Sequence, residues 1–198
     1  DVVITNPPYM GNRGMNKLLK EFVKKNYNKS NFDLYAAFIE RINDLTETYG
    51  INSSITQHSW MFLSSFEDLR KYILNHCTIL NLVHLGSKAF DDIGGEVVQT
   101  SSQTFRKIAV PNYNSAFIRL VDYNDSLSKR DHFSQSKNKL YINQKSFHNI
   151  PGSPIAYWAT KRVREIFKES NTLEEIAKPR QGMATADNDR FLRNWYEV

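Results

Sequence analysis

Several features are scarce in this 198-residue chain, and each scarcity excludes a class of protein. A single cysteine, Cys77, rules out a disulfide within the chain and a zinc site built from several thiolates. No apolar run approaches the roughly 18 to 20 residues that a membrane-spanning helix requires. We therefore expect a protein that does not span a membrane and that works in a reducing, cytoplasmic setting.

What is present indicates a folded domain. The chain is 40% hydrophobic and 13% aromatic, which a disordered tail or low-complexity linker would not be. The net charge of +5 permits a polyanionic partner without requiring one. The chain opens on the apolar run 2–5, which is typical of a buried strand, and closes on another apolar stretch. We interpret it as an internal piece of a longer protein.

Helical and strand-like segments alternate along the first part of the chain. Apolar residues recur at helical spacing from Leu34, with Asp33 placed to cap the helix. Two later segments, 97–108 and 116–123, read as strands, and Pro111 begins a turn between them that predicts a hairpin. This order predicts an α/β layer architecture with an antiparallel edge. The predicted elements are strands at 2–5, 51–56, 79–85, 97–108, 116–123 and 140–143 and helices at 34–45, 66–76 and 155–168.

The most informative motif is Asn6-Pro7-Pro8-Tyr9, directly after the first strand. Open α/β sheets bind their ligands at the carboxyl ends of strands. Prolines donate no backbone hydrogen bond, so the Asn6 side-chain oxygen and the Pro7 carbonyl can both accept from one amino group. Tyr9 supplies a flat face for a planar ring. The motif therefore predicts a receptor for an amino-substituted base or a planar amide.

This motif resembles that of the amino-group DNA methyltransferases, specifically the gamma-class adenine-N6 enzymes of restriction-modification and phage-exclusion (PglX-like) type. The likeness continues through Phe32-Asp33-Leu34-Tyr35-Ala36-Ala37-Phe38-Ile39-Glu40 and Leu82-Val83-His84-Leu85-Gly86 and covers residues 1–123. The resemblance implies an α/β fold: the C-terminal part of a Rossmann-like S-adenosylmethionine-dependent methyltransferase sheet with antiparallel late strands.

The resemblance also implies roles for individual residues. Asn6 and Pro7 would hold the target amine, and Tyr9 would stack on an adenine flipped out of the duplex. Phe105 matches the family's second stacking aromatic, or else is an inward-facing strand residue. Phe38 matches a position whose ring packs beside the adenine of S-adenosylmethionine, although a helix Phe at this spacing also suits a core.

The far end, residues 179–191, resembles the start of the family's target-recognition region. Arg180, Arg190 and Arg193 would then contact phosphates or bases. We expect a partial catalytic domain at 1–123, a connector at 124–154 and the beginning of the recognition region at 155–198. The expected partners are double-stranded DNA and other restriction or phage-defence subunits, with no membrane.

The family's main cofactor-binding motifs, a glycine-rich turn after a first strand and an acidic residue on the next strand, are not found in this sequence. They would lie upstream, so this chain alone is expected to be inactive. Two further functions stay open: methylation of a protein glutamine or an RNA adenine, and a non-catalytic DNA-binding fragment. His58, after a strand, faces a cleft or is an ordinary loop residue. No metal-ligand spacing is apparent.

Overall fold

A computed structural model describes residues 1–89 and 98–171, together with 173–178, 180, 182, 190 and 192–197. The chain forms two compact units, Asp1–Lys168 and Glu169–Val198. No helix in these described ranges is long and apolar enough to cross a membrane.

All six strands and most of the helices belong to the first unit. The strands are β1 (Val2–Thr5), β2 (Ile51–Gln57), β3 (Thr78–Gly86), β4 (Thr100–Arg106), β5 (Asn114–Arg119) and β6 (Lys139–Asn143). The helices are α1 (Lys17–Asn26), α2 (Leu34–Leu45), α3 (Glu67–His76), α4 (Ser126–Phe133), α5 (Lys161–Glu169) and the short α6 (Leu173–Ile176) of the second unit. The α/β class expected from the sequence is therefore confirmed.

Helix α2 shows how local sequence determines an element. The Asp33 carboxylate accepts from the backbone N–H of Tyr35 and caps the first turn, as predicted. The apolar face of the helix buries Tyr35, Ile39 and Ile42 against the sheet. The predicted α3 and the predicted strands at β2 and β3 are also confirmed to within two residues at each end.

The sheet has the strand order β1-β2-β4-β3-β5-β6. Strands β1 and β2 are parallel, as are β3 and β5. Strand β4 lies between β2 and β3 and is antiparallel to both, while β6 pairs antiparallel with β5. The late antiparallel strand that the resemblance implied is therefore present, and it lies inside the sheet.

The predicted hairpin between β4 and β5 is wrong. These strands do not pair with each other, because β4 inserts between β2 and β3 while β5 adds to the far side of β3. The antiparallel edge is formed instead by β6, which follows α4 (Ser126–Phe133), a helix that the polar sequence did not reveal. The turn at residues 111–114 thus reverses the chain without joining adjacent strands.

Buried polar side chains explain why β4 lies inside the sheet. Gln103 is fully buried, and its amide nitrogen donates to the hydroxyls of Ser54 (2.9 Å) and Thr56 (3.0 Å) on β2. Its amide oxygen accepts from the Ser101 hydroxyl at 3.1 Å. The network satisfies the Gln103 amide without solvent, which is the condition for burying a polar group at low cost.

The segment after β6 returns to the core of the first unit. Ile155 and Tyr157 are buried there, so the predicted helix at 155–168 begins only at Lys161. The compact unit accordingly continues to Lys168, past the expected connector at 124–154. Buried Arg70 of α3 fixes this return by donating to the Gly152 carbonyl from Nε (3.0 Å) and Nη2 (2.7 Å).

Candidate active site at the carboxyl edge of the sheet

The turn that begins at Asn6 lies at the carboxyl end of β1, beside the parallel strand β2. Two bonds tie the end of the turn to the start of α2: the Met10 N–H donates to the Asp33 carboxylate (3.0 Å), and the Met10 carbonyl accepts from the Leu34 N–H (3.0 Å). Burial raises the pKa of Asp33, although the N–H groups that it accepts from lower it. Asp33 therefore both caps α2 and holds the end of the turn against that helix.

Asn6 is exposed, whereas Pro7 is buried and fixes the backbone beneath it. Within the described part of the chain, neither the Asn6 side chain nor the Pro7 carbonyl accepts a hydrogen bond. Two acceptors on adjacent residues are thus available to a ligand at a strand end. The arrangement can hold a group that carries two hydrogens on one nitrogen.

The Tyr9 ring is held on one side by the protein core. Its hydroxyl donates to the Ile55 carbonyl of β2 at 3.3 Å, and its edge meets Tyr35 with ring centroids 6.0 Å apart at 79°. The Tyr35 hydroxyl in turn bonds the Ser59 hydroxyl at 2.7 Å. Burial raises the pKa of Tyr9, so its hydroxyl stays protonated at neutral pH. The half-buried ring keeps part of its surface accessible.

An apolar cavity of about 310 Å³ adjoins the turn. Pro8 forms part of its wall, together with Leu34, Ala37 and Phe38 of α2, and Arg41 lies at the same cavity. The mostly apolar lining, which includes aromatic rings, suits a planar heteroaromatic ring such as adenine. Phe38 is partly exposed and lines this space, and the cofactor contact that the resemblance implies for it stays a prediction. The described residues here include no glycine-rich turn, so the fit is to the ring and not to a whole nucleoside cofactor.

Phe105 has a different position from the one that base stacking requires. It is 1% exposed, and its ring meets Trp60 edge-on at 5.9 Å in the core. Its neighbours across the sheet, Asn52 and Ile79, are near the amino ends of β2 and β3, opposite to the end that carries the Asn6 turn. The stacking role is therefore corrected to the inward-facing alternative, because β4 runs antiparallel and takes Phe105 away from the site.

The three arginines expected to contact DNA are exposed members of the second unit. These are Arg180, Arg190 and Arg193. Most of the motif 179–191 lies outside the described residues. The roles of these arginines stay predictions.

A pair of histidines at the same edge of the sheet was not found by sequence reasoning. His58 follows β2, and His84 lies near the end of β3, yet the His58 Nδ1 and His84 Nε2 atoms are 2.6 Å apart. The Tyr157 hydroxyl lies 2.9 Å from the other ring nitrogen of His84. Burial, followed by the neighbouring His58 and Arg119, lowers the pKa of His84 to about 3. Burial also lowers the pKa of His58, so both rings are neutral at pH 7.

One signal in the sequence could have revealed this pair: His84 interrupts the apolar strand 79–85, where a polar residue needs a partner. Two histidines do not make a metal centre. In the described ranges, no three side chains of His, Cys, Asp or Glu come together as they would around an ion.

Comparison with known proteins identifies the relatives of this chain. Residues 1–90 match the family model of the Eco57I restriction-modification methylases. Over its whole length the chain is 44% identical to the adenine-specific methyltransferase PglX of Lacticaseibacillus casei (strain Zhang). It is 42% identical, also over its whole length, to the adenine-specific methyltransferase BrxX of Escherichia coli O9:H4 (strain HS).

This chain is similar over its whole length to a segment of these two adenine-specific methyltransferases. The resemblance that the Asn6-Pro7-Pro8-Tyr9 motif indicated is confirmed. The chain spans 17% of the length of PglX and 16% of that of BrxX. Among solved structures, a DrdV–DNA complex shares the fold with a TM-score of 0.56 at 15% identity, over 81% of this chain and 18% of that one.

Proposed function

We propose that the protein to which this sequence belongs transfers a methyl group from S-adenosylmethionine to the exocyclic amine of an adenine flipped out of double-stranded DNA. In this proposal the chain supplies the amine-binding part of a catalytic domain and the start of a target-recognition region. The setting is cytoplasmic, in restriction-modification or phage defence, with other subunits of such a system as partners.

The observation that carries the proposal is the pair of open acceptors on Asn6 and Pro7. An exocyclic amine carries two hydrogens, and accepting both of them would hold the amine nitrogen in place. It would also draw the nitrogen lone pair out of conjugation with the ring, so that the nitrogen becomes a better nucleophile. Tyr9 would stack on the flipped base, which has lost its neighbours in the duplex.

The cavity beside Pro8 supports a place for the methyl donor. Phe38 and the apolar wall of α2 would hold the adenine ring of S-adenosylmethionine, which supplies an electrophilic methyl group when bound. The remainder of that cofactor would need residues beyond this chain, in agreement with the expectation that the chain alone is inactive.

The test is Asn6→Ala in the whole protein, assayed with radiolabelled S-adenosylmethionine on unmodified genomic DNA. We expect methyl transfer to fall by at least about 100-fold, as removal of a transition-state hydrogen-bonding group typically does, while DNA binding is retained. Asn75→Ala, at an exposed position of α3, is the matched control and should leave transfer unchanged. Full activity of the Asn6 variant would refute the assigned role.

A further inference from the structure

Aromatic rings connect the histidine pair to the protein surface. The His58 ring meets Phe62 edge-on at 4.9 Å, and Phe62 meets Trp158 at 6.4 Å. Trp158 is 43% exposed, which is unusual for a side chain this large that is not at an interface. We name His58, Phe62 and Trp158 the His58 patch.

The His58 patch is connected to the Asn6 site by a short series of contacts. Ser59 follows His58 and bonds the Tyr35 hydroxyl, and the Tyr35 ring packs against Tyr9. The sheet register also sets Thr56 of β2 in one row with His84 of β3. Both features therefore lie at the edge where parallel strands end, which is where α/β sheets bind their ligands.

A hydrogen-bond chain leads from Tyr157 through His84 to His58. The Tyr157 hydroxyl lies 2.9 Å from Nδ1 of His84 and bonds it. Burial raises the pKa of Tyr157, while Arg119, which is held by Asp122 at 3.1 Å and 3.3 Å, lowers it to a smaller extent.

The next link joins the two neutral rings, with Nε2 of His84 2.6 Å from Nδ1 of His58. The remaining ring nitrogen of His58, Nε2, makes no bond to a described residue and is not among the buried unpaired atoms. It is therefore a polar atom at the surface that can bond a ligand. The charged groups around His84 are Arg119, Asp122 and Lys129.

Resting on the proposed function, we propose that the His58 patch binds an unstacked base of the DNA substrate, next to the flipped adenine. The base stacks on Trp158, and a polar atom on its edge bonds Nε2 of His58. Flipping one nucleotide leaves its neighbours and its partner without their usual stacking and pairing. A half-exposed tryptophan supplies a stacking surface, and a neutral imidazole nitrogen held in one orientation suits a base edge. Tyr157 and His84 act through His58 as positioning residues.

The test measures the Kd of the whole protein for a fluorescein-labelled duplex and KM and kcat for methyl transfer to unmodified genomic DNA. We expect Trp158→Ala to raise Kd and KM by about tenfold, the effect of losing one stacked base. His58→Ala should raise them by about fivefold, the effect of one hydrogen bond. The kcat stays within about twofold, because such a contact is present before and during the reaction. Trp158→Phe should recover most of the binding.

A double-variant cycle tests the positioning role. Tyr157→Phe removes the hydroxyl that bonds His84 and should raise KM as His58→Ala does, and the double variant should be no worse than His58→Ala alone. Additive effects would overturn the positioning role, because they would mean that Tyr157 acts independently of His58. The control is His76→Gln, an exposed histidine of α3. Unchanged thermal midpoints in the His58 and Trp158 variants ensure that binding alone is compared.

The outcomes separate this inference from the proposed function. If the wild-type protein methylates DNA and the patch variants match the His76 control, the inference is wrong and the proposed function stands. If the wild-type protein binds DNA without methylating it, the proposed function fails, and the Kd values of the variants decide the inference alone. If the wild-type protein does not bind DNA, both are overturned.

Discussion

Replacing Arg70 with Met should lower the free energy of unfolding of the first unit more than a surface substitution does. Arg70 is 1% exposed and donates to three backbone carbonyls, those of Gly152, Trp60 (3.0 Å) and Leu63 (2.5 Å). Among the described residues no carboxylate bonds the guanidinium, so three backbone carbonyls satisfy it. Burial lowers the pKa of Arg70, although the charge of Glu67 raises it. The arginine thus joins the loop after β2 to the turn that leads back into the core at Ile155.

The magnitude follows from the three carbonyls that lose their donor. Met retains most of the packing of the arginine stem, and each abandoned carbonyl costs on the order of 1 kcal/mol when it is buried. The variant also no longer buries a charge, and this gain offsets part of the cost. The net loss is therefore smaller than the summed strength of three hydrogen bonds from a charged group. We therefore expect a loss of about 3 kcal/mol in the free energy of unfolding, which is a large part of the roughly 5 to 15 kcal/mol typical of domains.

The assay is urea unfolding followed by tryptophan fluorescence, because Trp60 is fully buried and adjoins Arg70. Lys71→Met is the matched control. Lys71 is exposed and pairs with Glu67 at the surface, so its loss should leave the unfolding midpoint unchanged within error. A loss below about 1 kcal/mol for Arg70→Met would refute the reasoning, because it would mean that water or relaxation satisfies all three carbonyls.

Three other predictions concern the site and the buried titratable groups. Tyr9→Phe should retain most methyl transfer in the whole protein, since the ring stacks and the hydroxyl bonds only the Ile55 carbonyl, whereas Tyr9→Ala should lose about tenfold or more. In the folded protein the pKa of His84 is about 3, below the ordinary 6.5, so the unfolded state binds the proton more readily. The free energy of unfolding should therefore fall as the pH drops from 6.5 toward 3. His84→Phe should flatten this pH dependence in thermal melts. Cys77 is buried, its thiol donates to the Asn43 side chain, and burial raises the pKa of the thiol to about 12. A thiol reagent at pH 8 should therefore label Cys77 only after unfolding. Rapid labelling of the native protein would contradict the burial of this residue.

Elements set by local chemistry could be predicted from the sequence. The Asp33 cap and the apolar spacing from Leu34 identify α2 without reference to the rest of the chain. The order of strands could not be predicted in this way. The Pro111 turn reads as a hairpin whatever β4 pairs with, and β4 is drawn between β2 and β3 by long-range contacts such as those of Gln103.

The candidate site divides in the same manner. Asn6 and Tyr9 lie in one motif of four consecutive residues, so the sequence alone shows that they are close together. The position of Phe105 depends on the direction and the neighbours of β4, and the predicted hairpin gave β4 the wrong neighbour. The bond between His58 and His84 joins residues 26 apart across an intervening strand, and only the folded sheet brings them together.

The central claim is tested most directly by identifying the labelled nucleoside. The whole protein is incubated with radiolabelled S-adenosylmethionine and unmodified bacterial genomic DNA, and the DNA is then digested to nucleosides. The account predicts label in N6-methyladenine, reduced to background by Asn6→Ala. Label in protein glutamine, in RNA or in a methylated cytosine, or no label at all, would contradict it.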